Sequence, residues 1–333
     1  MSGLDRTGPD SRRRALITGV SGQDGSYLAE LLLEEGYEVY GLIHSGAAEG
    51  LGCAEHLHAH LGLVYGELLD AATLTRAVTD TRPHELYHLA APSFVPDSWL
   101  TPPTTFAAIA VATAVLLQAV REHAPETRVF IASSSAMFGD ARESPQREDT
   151  PFRPQSPYAT SKLAAHQLAG QLRSHDGLFI AAGIMYNHES ERRPESFVTR
   201  KITKAVAEIK LGARSKVTLG NLCAVRDWSY AGDIMRAAWL TLQQDEPGDY
   251  VLASGRAHTV GELAQIAFAH TGLDSQDHVE VDPALVRPPE SAPLVGDPTL
   301  ARQRLGWRAT LDFEQLVRRM VDADLRALTP PVA

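Results

Sequence analysis

A tyrosine and a lysine in the middle of the chain could exchange a proton with an alcohol. Tyr158 and Lys162 are four residues apart, so on a helix they project from one face, one turn apart. A nearby ammonium stabilises a phenolate, and we expect it to lower the tyrosine pKa from about 10. Ser134 ends a strand-like run and can hydrogen-bond the same substrate oxygen. Many chains carry Y-x-x-x-K by chance, so the context decides what these residues mean.

A glycine-rich segment near the N-terminus supplies that context. Gly19, Gly22 and Gly25 follow the strand-like run 15–18 and open a helix-like run with leucines at helical spacing. The G-x-x-G-x-x-G pattern lets the backbone turn tightly and points helix amides at a pyrophosphate. A strand-to-helix turn without a ligand is the alternative, and the later Ser, Tyr and Lys disfavour it. Together these residues predict a dinucleotide site that performs hydride transfer.

The elements that must position these residues alternate between strand-like and helix-like runs. The strand-like runs are 15–18, 38–43, 61–65, 85–89, 128–132 and 178–183. This alternation predicts an α/β fold with a doubly wound parallel sheet and a smaller C-terminal substrate lobe. We expect a disordered leader at 1–14, whose arginines are solvated, a dinucleotide-binding domain at 15–185, and a substrate lobe at 186–333 interleaved with it.

The composition of the chain further limits the classes of protein to which it can belong. The 333 residues carry a net charge of −10, which disfavours binding to nucleic acid or to anionic lipid. No apolar run predicts a membrane span. Two cysteines far apart, Cys53 and Cys223, fit a reducing cytoplasm and predict neither a disulfide nor a metal site.

The choice between NAD and NADP depends on the residues after the second predicted strand. That stretch offers His44 and Ser45, neither an acid for a ribose hydroxyl nor an arginine for a 2′-phosphate. Both residues could bind either cofactor or form a plain loop. Glu67 and Leu68 follow the third strand, where an adenine ring is commonly flanked.

Long strings in the chain resemble the extended short-chain dehydrogenase/reductases that modify nucleotide sugars, above all the GDP-mannose 4,6-dehydratases. They are ALITGVSGQDGSYLAE (15–30), SPYA (156–159), NHES (187–190), FVTRKI (197–202), LGNL (219–222), RDW (226–228) and GDPT (296–299). The resemblance implies a Rossmann fold, a GDP-hexose substrate, NAD(P) with NADP slightly favoured, and a homodimer or homotetramer. The expected cofactor contacts are Gly19, Ser21, Gly22, Gln23, Asp24, Gly25, His44, Ser45, Glu67, Leu68, Leu89, Ala90, Ala91, Tyr158, Lys162 and Asn187. The expected substrate contacts are Asn187, Val198, Lys201, Arg226, Arg287 and Glu290.

The chemistry of the side chains supports part of the list of expected substrate contacts. Lys201, Arg226 and Arg287 are suited to a diphosphate, because a guanidinium can bind phosphate oxygens bidentately. Glu290 can accept hydrogen bonds from a guanine edge. Surface ion pairs are the alternative for each of these charges.

The sequence departs from the family at the catalytic strand. Ala136 stands where the resemblance places a glutamate that removes the C5 proton and assists departure of the C6 hydroxyl. A methyl group does neither, whereas Ser134, Tyr158 and Lys162 remain for hydride transfer at C4. His44 and Ser45 replace the family's two arginines, Ala107 replaces an asparagine, and Pro92 replaces a glutamine.

These residues leave three hypotheses open. The first is C4 hydride transfer on a GDP-hexose without dehydration, as an epimerase or a 4-keto reductase. The second is a dehydratase whose acid/base chemistry has moved to Glu189, Asp97 or His188. The third is an inactive nucleotide-sugar binding subunit, which the retained Tyr158 and Lys162 disfavour.

Overall fold

The computed structural model describes residues 12–44, 50–285 and 293–329. Seven parallel strands form its central sheet: β1 (Arg14–Thr18), β2 (Glu38–Ile43), β3 (Leu61–Tyr65), β4 (Glu85–His88), β5 (Arg128–Ser134), β6 (Ile180–Met185) and β11 (Asp249–Leu252). Their spatial order is β11-β6-β5-β4-β1-β2-β3. The prediction of a doubly wound parallel sheet is confirmed. Its seventh strand, β11, was not among the predicted runs.

Helices cover both faces of this sheet. The helices of the described residues, in the sheet layers and in the second half of the chain, are α1 (Gln23–Glu34), α2 (Ala71–Thr81), α3 (Pro102–Phe106), α4 (Ala112–His123), α5 (Pro157–Asp176), α6 (Val198–Lys210), α7 (Ala231–Thr241), α8 (Val260–His270), α9 (Ser275–His278), α10 (Thr299–Leu305) and α11 (Phe313–Leu328). Successive strand residues point to opposite faces. Accordingly Ile17 packs in a core with Leu28 of α1, while its neighbour Leu16 packs in a second core with Leu116 of α4.

Helices α3 and α4 join through a π-helical turn, Ala107–Val111, into one continuous helix. By length and composition the stretch Pro102–His123 could cross a membrane, since its mean hydropathy is 1.7. The sequence analysis predicted no membrane span. More than half of its apolar window, 56%, is buried inside the protein. That burial is typical of a core helix, since a lipid-facing helix would keep its apolar surface outside.

Short strands build the second half of the chain. They are β7 (Asn187–Glu189), β8 (Val217–Leu219), β9 (Val225–Arg226), β10 (Trp228–Tyr230), β12 (His258–Thr259) and β13 (Val279–Val281). They pair as β7 with β10, β9 with β12 and β8 with β13. Because β11 lies in the central sheet while these pairs lie outside it, the chain passes between the two parts more than once. The boundary at residue 185 stays a prediction.

One expectation about the N-terminal arginines was wrong. Arg14 begins β1, and Arg13 pairs with the fully buried carboxylate of Glu85 at 3.0 Å rather than facing only solvent. Tyr37 and Tyr87 donate hydrogen bonds to the same carboxylate at 3.0 and 2.7 Å. A buried charge requires such partners, and the sequence carried no spacing signal for them. Residues 1–11 of the predicted leader lie outside the described residues.

Candidate active site

The glycine turn joins β1 to α1 and is shaped for an anion. Gly19 has φ of +78°, and a Cβ there would lie 2.8 Å from the amide nitrogen of Ala90. A Cβ on Gly25 would meet the carbonyl oxygen of Gly19 at 2.2 Å. Gly22 caps α1 without a side-chain hydrogen bond, so the amides of the first turn remain available to a ligand. This cradle fits the pyrophosphate of a dinucleotide.

The ends of β1 and β4 bring further predicted cofactor positions to this turn. Leu89, Ala90 and Ala91 follow β4, and the amide of Ala90 donates to Oγ1 of Thr18 at 3.2 Å. Beyond β2 and β3, Nε2 of His44 pairs with Oε2 of Glu67 at 2.8 Å. Leu68 packs against the core beneath. Ser45, predicted to bind the cofactor, lies outside the described residues.

Side chains from the glycine turn tie it to β7, the strand that begins at Asn187. Nε2 of His188 lies 2.9 Å from Oδ2 of Asp24, and Gln23 donates to the carbonyl of His188 at 3.1 Å. Ser190 donates to Oε1 of Gln23 at 2.8 Å. Asp24 and Gln23 are therefore engaged with β7, and the pyrophosphate cradle is left to the backbone amides.

Charge stabilises this connection. Burial alone would raise the pKa of Asp24, but the charge and hydrogen bond of His188 outweigh it and lower the pKa to about 2. Burial alone would lower the pKa of His188, and Asp24 raises it overall. Asp24 is thus an anion across the physiological range.

The structure brings Ser134, Tyr158 and Lys162 together. Ser134 ends β5, and Tyr158 and Lys162 lie one turn apart on α5, which packs against that strand. Ser156 caps α5 by accepting from the amide of Ala159 at 3.1 Å. Nζ of Lys162 donates to the carbonyl of Ala132 at 2.7 Å and lies 5.9 Å from the centre of the Tyr158 ring.

The expected lowering of the tyrosine pKa is wrong for the protein alone. Burial raises the pKa of Tyr158 by more than the Ser134 hydroxyl and the charge of Arg193 lower it. Burial also lowers the pKa of Lys162 to about 8. At neutral pH Tyr158 therefore carries its proton and is set to give it, while Lys162 is mostly charged.

Ala136 lies beside this group in apolar surroundings. It follows Ser134 by two residues, and its amide donates to Oγ of Ser134 at 3.2 Å. Its side chain packs, together with Ala91 and Val95, against a cluster of three buried residues: Ile109, Tyr158 and Ala165. We name these six residues the apolar corner; it includes position 136, where the resemblance predicts a glutamate and this chain has alanine.

The three groups considered as substitutes for that glutamate are otherwise engaged or exposed. Glu189 is buried, accepts from Oγ1 of Thr199 at 2.6 Å and pairs with Arg193 at 3.2 Å. His188 is held by Asp24. Asp97 is exposed on the short helix Val95–Trp99. Of that short helix, Val95 joins the apolar corner.

Predicted substrate positions surround β7, β9 and the start of α6. Val198 opens α6 and is exposed. Three residues further on lies half-buried Lys201, whose ammonium has neither a hydrogen bond nor an ion pair within the described chain. Arg226 lies on β9, and Asn187 pairs with Trp228 of β10. Arg287 and Glu290 lie outside the described residues.

Sequence reasoning missed Arg193. Its guanidinium lies 3.6 Å from the centre of the Phe197 ring and pairs with Glu189. The positive charge acts on Tyr158, where it helps to lower the pKa. The sequence signal was its place shortly after the NHES string, since arginines in a loop are usually solvated.

Comparisons with known proteins agree with this geometry. A family model described as GDP-mannose 4,6 dehydratase matches residues 16–320. GDP-mannose 4,6 dehydratase 1 of Arabidopsis thaliana is 46% identical over 326 residues, covering 94% of this chain and 90% of that protein. GDP-mannose 4,6 dehydratase of Homo sapiens is 41% identical, covering 95% and 92%.

Solved structures give the same fold. A putative epimerase from Burkholderia cenocepacia superposes with a TM-score of 0.84 at 29% identity, covering 96% of this chain and all, 100%, of that one. UDP-glucose 4-epimerase of Thermus thermophilus, solved with NAD, has a TM-score of 0.82 at 27% identity, covering 95% and 100%. By the family model and by its relatives, the chain belongs to the GDP-mannose 4,6-dehydratase family.

Proposed function

We propose that the protein transfers a hydride at C4 of a GDP-hexose, using NAD(P), and does not dehydrate the sugar. Two outcomes fit the residues: 4-epimerisation through a transient ketone, and reduction of a 4-keto sugar. The observation that carries the proposal is the contrast around Tyr158, where the proton-transfer residues are assembled and position 136 is a methyl group in an apolar corner.

The protein's own groups divide the work at C4. Tyr158 gives a proton to the C4 oxygen, or takes one from it, while Ser134 hydrogen-bonds the same oxygen. Lys162, charged below about pH 8, stabilises the phenolate that forms when Tyr158 gives up its proton. The dinucleotide, when bound, supplies or accepts the hydride. The amides of the glycine turn hold its pyrophosphate.

We assign binding of the GDP moiety of the substrate to the second half of the chain. Lys201 and Arg226 are proposed to neutralise the diphosphate, and Asn187 and Val198 to line the sugar side. The ammonium of Lys201 supports this assignment, because a half-buried cation that has no counter-ion among the described residues favours an anionic ligand.

The cofactor, assembly and compartment complete the proposal. NAD is the cofactor in the Thermus thermophilus structure, and this chain has His44 at a position where the resemblance places an arginine for a 2′-phosphate. A homo-oligomer is supported by exposed apolar side chains at Trp99, Leu100, Phe106 and Val111. Free Cys53 and Cys223 are consistent with the cytoplasm.

To test the proposal, purified protein is incubated with GDP-mannose, with and without added NAD or NADP. The mass of the sugar nucleotide is then measured by mass spectrometry. The proposal expects unchanged mass with a new stereoisomer, or, for a reductase, consumption of reduced cofactor with a GDP-4-keto-hexose. Product lighter by one water would instead establish a dehydratase, directing attention to Glu189, Asp97 and His188. No hydride transfer with any GDP-hexose or GDP-4-keto-hexose would refute the proposal and favour a binding subunit.

A further inference from the structure

Beyond Tyr158 and Lys162, the Tyr/Lys pair, helix α5 makes a further polar contact with β5. His166 follows Lys162 by four residues and therefore continues the row of side chains that the pair begins. Nδ1 of His166 lies 3.0 Å from Oγ of Ser133, and both residues are buried. Ser133 directly precedes Ser134 on β5. The contact therefore joins the helix that carries the Tyr/Lys pair to the neighbour of the active-site serine.

The other ring nitrogen of His166 faces a carboxylate. Nε2 lies 3.8 Å from Oδ2 of Asp249 on β11, which is too long for a direct hydrogen bond. Arg173 of α5 fixes that carboxylate, because its Nη1 and Nη2 groups donate to the two oxygens at 2.8 and 3.0 Å. Nη1 also donates to the carbonyl of Ile180 on β6 at 3.0 Å. His166 and Arg173 thus connect α5 to three adjacent strands of the sheet, β5, β6 and β11.

The charge state of His166 fits this arrangement. Burial lowers the pKa of His166, the charge of Asp249 raises it by less, and Arg173 lowers it further. The ring is therefore neutral at physiological pH and carries one N–H. Placing that N–H on Nε2, toward the carboxylate, leaves Nδ1 to accept a hydrogen bond from the hydroxyl of Ser133.

Burial excludes chemistry by Ser133 itself. A serine, a histidine and an aspartate in this order can activate a nucleophile. Ser133 is only 1% exposed, so a substrate does not reach its hydroxyl. The three residues therefore act by holding α5 and the strands in place.

Helix α5 depends on such contacts because its buried apolar side chains are small. Apart from Tyr158 they are Ala159, Ala165 and Ala169. Methyl groups form shallow ridges, which resist sliding of a helix along a sheet less than large interlocking side chains do. Hydrogen bonds weaken steeply when their geometry changes, so they resist that movement.

We propose that His166 is a positioning residue whose contacts with Ser133 and Asp249 fix α5 on the sheet. Through α5, His166 holds the Tyr/Lys pair against Ser134. This inference rests on the proposed function, in which the pair moves a proton at C4. Such groups must be held to within about 0.5 Å, and a misplacement of about 1 Å can lower a rate by about 100-fold.

The test removes each partner of the contact and follows nicotinamide absorbance with the GDP-sugar that the wild-type protein turns over. His166→Phe keeps a ring against Phe152, and Ser133→Ala removes only a hydroxyl. We expect each to lower kcat about tenfold, with the dissociation constant of the sugar nucleotide within about twofold of wild type. The double variant should be no slower than the slower single variant, because both changes remove the same contact. His166→Asn, whose amide takes the place of Nδ1, should recover most of the rate.

Thr127→Val is the matched control. Thr127 is buried and donates to the carbonyl of Pro83 at 2.6 Å, so its loss should lower stability and leave kcat unchanged. Denaturant unfolding checks that each variant is folded in the assay. Wild-type kcat in folded His166→Phe and Ser133→Ala would overturn the proposal. So would effects of the two changes that multiply, a rate that His166→Asn does not recover, or an equal loss in Thr127→Val.

Crystal structures of wild type and His166→Phe separate this proposal from the proposed function. If wild type transfers no hydride with any GDP-hexose or GDP-4-keto-hexose, the proposed function fails, and the distance between the hydroxyls of Tyr158 and Ser134 decides the role of His166. A change of about 0.5 Å or more in the variant would support positioning, and an unchanged distance would overturn it. Hydride transfer that the variants leave intact would overturn the positioning role alone.

Discussion

The two sides of Tyr158 differ in the polarity of the residues that surround them. On one side lie Ser134, Lys162 and the glycine turn, with buried polar contacts such as Lys162 to the carbonyl of Ala132 at 2.7 Å. On the other side lie Ala136, Ala91 and Val95, which pack against Tyr158, Ile109 and Ala165. In the proposed function, proton transfer at C4 uses the first side, and elimination across C5 and C6 would need a polar group on the second.

Under the proposed function, that difference would separate hydride transfer at C4 from dehydration, two steps that the resemblance implies for the family. Oxidation or reduction at C4 is independent of an acid/base group beside C6, whereas loss of water depends on it. On this proposal, the residue type at position 136 decides the reaction while the fold and the cofactor cradle stay the same. The following variants act on one side at a time.

Tyr158→Phe tests the polar side and carries the largest expected effect. Removing the hydroxyl should lower the rate of hydride transfer by about 10²–10⁴-fold, the usual worth of a positioned acid/base, with little change in sugar binding. Stopped-flow nicotinamide absorbance measures the rate. Tyr250→Phe is the matched control, because Tyr250 is a buried tyrosine of β11. Equal rates for Tyr158→Phe and wild type would remove the tyrosine from the mechanism.

Ala136→Glu tests the apolar side by supplying the missing carboxylate. We expect GDP-mannose to yield a product lighter by one water, at a rate about 100-fold above that of Ala136→Gln, which has the same length and no acid/base function. Mass spectrometry of the sugar nucleotide distinguishes the two variants. If both dehydrate equally well, position 136 does not decide the reaction.

Much of the polar side could be predicted from the sequence because it depends on local patterns. Glycine spacing, the Tyr/Lys pair and strand runs such as 38–43 and 61–65 reappear with the same bounds or within a few residues. Strand β11 was not predicted. Asp249–Leu252 is a four-residue segment that lies far in sequence from the other strands of the central sheet, and only its pairing with β6 makes it part of that sheet.

Other features depend on contacts that spacing does not encode. The burial that raises the pKa of Tyr158 comes from Ile109, Ala165 and their neighbours, so the sign of the shift could not be read from Tyr158 and Lys162 alone. The same holds for Arg193, whose place over Phe197 follows from how the loop after β7 meets α6. Ala136 was visible as a replacement, but its apolar surroundings were not.

Lys201→Ala tests the proposed anion site on α6, outside the two groups of residues compared above. A charge-assisted hydrogen bond contributes about 1.5–3 kcal/mol, so GDP should bind roughly 10–100-fold more weakly. Calorimetric titration with GDP measures this. Lys210→Ala is the control, since Lys210 is exposed at the last residue of the same helix. The same loss in both variants would indicate a general charge effect rather than a binding site.

The protonation of Lys162 gives a prediction that is read in stability rather than in activity or binding. Burial lowers its pKa from 10.5 to about 8, so between these values the unfolded chain binds a proton that the folded protein releases. Stability contributed by this group therefore rises with pH across that window, by about 1.4 kcal/mol per pH unit, and is lost as pH falls through 8. Denaturant unfolding of wild type and Lys162→Met near both ends of the window isolates this contribution as the difference between the two proteins. A difference that does not grow with pH would mean that Lys162 has an ordinary pKa. Its ammonium would then be better hydrated than the 8% exposure of the residue indicates.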